Sequence, residues 1–118
     1  MWFYDNISRD EFEKRKDTVE RIMRELGAVK PNINLPYRQK TTSHTGGLTE
    51  THRSRRPVFK FNNEYFRVDE FLCKEKPFIV IEYGTYDELM KNVMHDAEPF
   101  PYDLPDDEIK SEIKKTLI

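Results

Sequence analysis

The run from Val58 to Leu72 constrains this chain most. Apolar and polar residues alternate through it, and Asn62-Asn63 interrupts it where a two-residue hairpin turn fits. Pairing across that turn puts Phe59, Phe61, Phe66 and Val68 on one face. Val58, Lys60, Tyr65, Arg67 and Asp69 fall on the other. This pattern predicts an antiparallel hairpin with one buried and one wet face. After Pro77, the run Phe78 to Tyr83 is apolar on nearly both faces and predicts a third, central strand.

Helices flank these strands. Ser8 and Glu11 form a capping box, with Ile7 and Phe12 at the staple positions around it. Phe12, Val19, Ile22, Met23 and Leu26 recur at helical spacing, and Gly27 supplies a left-handed stop. The opposite face, Glu13, Lys14, Lys16, Asp17, Glu20 and Arg24, reads as a solvated, ion-paired surface. Thr85 and Glu88 form a second capping box that opens a short helix through about Met94, with Leu89, Met90, Val93 and Met94 inward. Ile109, Ile113 and Leu117 define a last helix from Asp106. The expected fold is therefore α+β: an N-terminal helix, an antiparallel sheet of three or more strands, and two C-terminal helices. The 118 residues suit one domain, 1–118. Only 36 % of them are apolar, but 13 % are aromatic, so the core is expected to be rich in rings.

Residues 37–56 stand apart as a polar basic arm. Gly46-Gly47 can turn a hairpin that pairs Thr45 with Leu48, His44 with Thr49 and Thr42 with Thr51. Neither face of this hairpin is apolar, so core burial cannot anchor it. It is expected to project or to drape over another part of the chain.

Charge is distributed unevenly. Residues 1–76 carry a net +4 and residues 77–118 a net −6. Seven basic residues lie between Lys30 and Lys60 against Glu50 alone, and nine acidic residues lie between Glu82 and Glu108 against Lys91 alone. Such asymmetry speaks to partners rather than to fold. The single cysteine, Cys73, cannot form an internal disulfide. No apolar run approaches the ~18 residues of a membrane span. Met1 to Asp5 turns acidic too early for a signal peptide. A cytoplasmic protein with no membrane association is expected.

The chemistry-bearing residues give no enzyme signature. His44 and His52 beside Arg53, Arg55 and Arg56 could serve as acid and base on a phosphodiester, but no third group orients either ring, and histidine is ordinary in polar loops. Cys73, His44, His52 and His95 lack metal-ligand spacing, so neither a metal nor another cofactor is expected. The arm offers a phosphate or RNA site, with Arg38, Lys40, His44, Arg53, Arg55 and Arg56 as its contacts. It lacks the spacing of a phosphate-binding loop motif. The acidic segment is the stronger candidate. Asp96, Glu98, Phe100, Tyr102, Asp103, Asp106 and Asp107 combine ring anchors, a negative rim and prolines that limit the entropy lost on docking. Part of this is helix capping, since Asp106, Asp107 and Glu108 fall in a first helical turn. Phe100 is equally suited to plugging the core.

Lys76 to Tyr83 followed by Glu98 to Glu108 resembles small uncharacterised proteins of Gram-positive bacteria. Size, acidity and element order are similar to immunity proteins that neutralise bacterial toxins. The resemblance covers at most residues 57–118. It implies a non-enzymatic binding module without cofactor, acting on a basic protein. A homodimer, formed if the basic arm of one copy meets the acidic segment of another, is a further expectation.

Overall fold

The computed structural model describes residues 2, 4–33, 39–44, 48–53, 56–73, 75–91 and 93–117, and of 39–44 and 48–53 the backbone alone. The elements in chain order are α1 (Arg9–Glu25), β1 (Gln39–His44), β2 (Leu48–Arg53), β3 (Val58–Phe61), β4 (Glu64–Leu72), β5 (Pro77–Gly84), α2 (Tyr86–Met90), β6 (His95–Asp96), β7 (Phe100–Pro101) and α3 (Asp106–Leu117). This is the expected α+β arrangement, with more strands than the three read from the sequence.

The Phe-rich hairpin forms in the expected register, Phe59 opposite Phe66 and Phe61 opposite Glu64. Its turn residues Asn62 and Asn63 have φ of 51° and 69°, the left-handed pair that a type I′ turn requires. β5 is central: it pairs along its length with β4 on one side and with β6 and β7 on the other. Gly27, with φ of 111°, ends α1. The chain then bonds to the hairpin, with the Val29 N–H donating to the Lys60 carbonyl at 2.9 Å and the Lys60 N–H returning at 2.7 Å.

α1 and α3 cover one face of the sheet. Phe12, Val19 and Met23 of α1 and Ile109, Ile113 and Leu117 of α3 meet Phe59, Phe66, Val68, Ile79 and Ile81. Ser8 caps α1 by accepting the Glu11 N–H, while Ile7 and Phe12 are both buried as a staple demands.

The other face differs from expectation. Tyr65, Arg67 and Asp69 are buried, not wet. Arg67 Nη2 donates to Glu82 Oε2 at 2.9 Å, with both side chains out of solvent. Leu89 of α2 packs there with Val58 and Tyr65. α2 is shorter than expected, and Val93, read as inward, is exposed. The polar face of α1 differs as well. Lys16 and Glu20 are buried because charged groups distant in sequence reach them.

The arm does not project. β1 joins the sheet through a parallel pairing of His44 with Leu72, giving the strand order β2-β1-β4-β5-β6. Its hairpin register is one residue from that expected. His44 lies opposite Leu48, Ser43 opposite Thr49 and Thr41 opposite Thr51. With no apolar face to pin it, alternation in the sequence does not distinguish these registers.

Candidate functional site

The acidic segment is built as an edge strand followed by a helix. Glu82 pairs with Asp96 and Ile79 with Phe100. Two residues of β5 therefore face three, Ala97, Glu98 and Pro99, and the edge strand carries a bulge. The Ala97 N–H still donates to the Ile81 carbonyl at 3.0 Å. A bulge and two prolines blunt this edge against pairing with another chain.

The loop after β7 is fastened to α1. Arg15 Nε donates to the Tyr102 carbonyl at 2.9 Å and Nη2 to the Leu104 carbonyl at 2.6 Å. The Tyr102 ring meets Phe12 edge-on, with centroids 6.4 Å apart. Phe100 is buried in the core. Both rings therefore hold the loop down. Phe100 is a core plug and not an exposed anchor, because its strand pairing directs it at the α1 and α3 layer.

Between the bulge and α3 lies a groove of about 720 Å³. Tyr83, Pro99, Pro101 and Leu104 supply its apolar surface, over the buried Phe100. Glu98 borders it on the sheet side, and Glu108, Ser111, Glu112 and Lys115 border it on the helix side. The four helix residues follow i, i+3, i+4, i+7 spacing, so one face of α3 lines the groove. Lys115 Nζ lies 3.2 Å from Glu112 Oε1.

The expected partner-binding carboxylates, Asp96 on β6, Glu98, Asp103, Asp106 and Asp107, are all exposed. Asp106 is engaged within the chain, 3.7 Å from Arg15 and 3.3 Å from Arg21, and Asp103 lies 3.6 Å from Lys76. The sequence reading assigned Glu108 of the acidic cluster to helix capping and did not place Glu112, Tyr83 and Leu104 in the site. The signal for Glu108 and Glu112 was the polar stripe beside Ile109, Ile113 and Leu117.

Of the phosphate candidates, Arg56 alone has a described side chain. Arg56 is committed to α1: its Nη1 lies 2.6 Å from Asp17 Oδ1 and 3.2 Å from Glu20 Oε1, and its Nη2 donates to the Glu13 carboxylate. These acids stand at i, i+4 and i+7, an anionic stripe that takes the guanidinium out of contention for phosphate. Burial opposes the charge on Arg56, but Glu13 and Asp17 outweigh it and hold its pKa above the usual value. Arg38 and Arg55 lie outside the described residues. Lys40 and His44 are on β1 and Arg53 on β2, with Lys40 opposite His52 and Gln39 opposite Arg53. His44 and His52 are four ladder positions apart, about 13 Å along the backbone.

Elsewhere, His95 Nε2 lies 2.8 Å from Glu88 Oε2. Glu88 also accepts the Thr85 N–H, and these contacts, the backbone one first, lower its pKa. The described residues hold no group of three or more His, Cys, Asp or Glu arranged for a metal. Among them no helix is long and apolar enough to cross a membrane. No family model, no curated protein and no solved structure matches the chain.

Proposed function

We propose that this chain is a non-enzymatic protein-binding module of the immunity or inhibitor kind, whose acidic face meets a basic protein partner. One observation carries the reading: Glu98, Glu108 and Glu112 border a groove with an apolar surface, and Asp107 stands exposed beside it. Of the neighbouring cations among the described residues, Arg15 and Arg21 offset Asp106, Lys76 offsets Asp103 and Lys115 offsets Glu112, which leaves Glu98, Asp107 and Glu108. The end of the molecule is left with excess negative charge around apolar surface. Such a field speeds encounter with a basic protein and disfavours acidic ones.

The test is capture. The immobilised chain is exposed to lysate at low and at physiological salt, beside the Asp107→Lys/Glu108→Lys variant. Both positions are exposed, so the variant is expected to fold. A basic protein retained by the original and lost by the variant supports the reading. Equal retention by both contradicts it.

A further inference from the structure

Resting on that reading, we infer that the groove between the edge-strand bulge and α3 receives an arginine side chain from an extended segment of the partner. A volume of about 720 Å³ exceeds one side chain and suits a short segment with its anchor. The walls differ in kind. Tyr83, Pro99, Pro101 and Leu104 offer apolar surface to an aliphatic stem. Glu108 and Glu112 come from one helix face and Glu98 from the opposite wall, and together they offer carboxylates to the charged end.

The spacing of Glu108 and Glu112 supplies an independent argument. Like charges at i, i+4 oppose helix formation, an energetic conflict that a cation between them relieves. Lys115 offsets Glu112 through an exposed i, i+3 contact, which is weak by nature. Arginine suits this position better than lysine. Its planar fork can meet two carboxylates at once, and it sheds water more easily. The bulge, Pro99 and Pro101 disfavour strand addition at this edge. Recognition therefore rests on a side chain entering the groove rather than on a backbone ladder.

The test is an NMR titration of the ¹⁵N-labelled chain with the blocked peptide acetyl-Ala-Arg-Ala-Arg-Ala-amide, beside the same peptide carrying neutral citrulline for arginine. Saturable shifts confined to residues 97–101 and 108–116 are expected, with none from the citrulline peptide. Glu108→Gln/Glu112→Gln is expected to weaken binding about tenfold or more, the loss of at least one charged contact. Shifts centred elsewhere, equal binding of the citrulline peptide, or no binding overturns the inference.

Ser111→Trp separates this inference from the broader reading, because it fills the groove without changing charge. Loss of both the peptide and the captured partner supports the inference. If Ser111→Trp keeps the partner while Asp107→Lys/Glu108→Lys loses it, the acidic-face reading stands and the groove assignment falls. If both variants keep the partner, both fall. Thermal melts check that each variant folds, and the Glu108→Gln/Glu112→Gln titration decides if Ser111→Trp does not.

Discussion

Lys16 Nζ lies 2.9 Å from Glu70 Oε1, with both side chains closed to solvent, so a charge pair joins α1 to β4 through the interior. Arg9 Nη1 reaches the other Glu70 oxygen at 3.3 Å, and the Lys16 ammonium sits 4.9 Å from the centre of the Phe12 ring. The same helix face holds Arg56 through Glu13, Asp17 and Glu20. The end of the basic arm is thereby clamped to α1.

Removing Lys16 leaves the buried Glu70 with the partly exposed Arg9, 3.3 Å away, as its remaining cation. Lys16→Met is expected to lower stability by about 3–5 kcal/mol. The double change Lys16→Met/Glu70→Leu is expected to recover most of that loss, because two apolar side chains replace two dehydrated charges. Urea unfolding of four proteins, the original, Lys16→Met, Glu70→Leu and the double variant, measures this. A double variant as unstable as the sum of the singles would show that the two groups are not coupled.

Glu70 and Glu20 should respond oppositely to pH. Burial pushes the Glu70 carboxyl up, but Lys16 and then Arg9 outweigh it, and its pKa is lowered. Its contribution is full above the ordinary carboxylate value of about 4.3 and is lost as the pH falls through its lower folded value. Burial also pushes Glu20 up, and there Arg56 does not cancel it. Glu20 Oε2 is buried without a hydrogen-bond partner among the described residues. Stability from Glu20 is therefore full below about 4.3 and is lost as the pH rises through its raised folded value. Glu20→Gln is expected to match or exceed the original stability at pH 7, whereas Glu70→Gln is expected to fall below it by a margin that narrows towards pH 3. Thermal melts across pH 3–8 compare them, and a Glu20→Gln variant destabilised at pH 7 contradicts the assignment.

These two carboxylates mark where the sequence stops being informative. On α1, Lys16 and Glu20 are indistinguishable from the exposed Lys14 and Asp17, because the residues that bury them, Glu70 and Arg56, come from far along the chain. Local signals were legible wherever neighbours alone decide the outcome: the Ser8 cap, the Gly27 stop, the Asn62-Asn63 turn and the Ile109, Ile113, Leu117 stripe. The arm register was legible only to within one residue, since no apolar face selects it. In the acidic segment, prolines and a bulge hid an edge strand behind the look of a loop. Charge pointed to that region, but only the packing of α3 against the bulge shows that Glu112 shares a groove with Glu98.

Arg15 holds the loop that sets the start of α3. Arg15→Ala is expected to lower stability by about 1.5–3 kcal/mol, the range for a hydrogen bond to a charged group. Arg15→Lys should rescue it only in part, because one ammonium cannot reproduce the fork that spans the Tyr102 and Leu104 carbonyls. Hydrogen exchange provides the check. Faster exchange confined to residues 102–110 is expected, and uniform change across the sheet would show that Arg15 acts elsewhere.

The hairpin turn gives a contrast within one element. Asn62→Val, a β-branched side chain at positive φ, is expected to cost about 1–2 kcal/mol. Asn63→Gly is expected to be neutral or mildly stabilising, as Asn-Gly is a favoured type I′ pair. Chemical denaturation separates them, and equal effects of the two changes would contradict the left-handed assignment.

The most direct test of the acidic-face account is the binding of the captured partner, by calorimetry, to three forms: the original chain, Glu98→Lys/Glu108→Lys, and Lys40→Glu/Arg53→Glu on the arm. The account predicts that reversal at Glu98 and Glu108 weakens binding at least about tenfold, more than 1 kcal/mol, and that reversal on the arm leaves it unchanged. Binding that survives the first reversal and disappears with the second would contradict it and move the function to the basic arm.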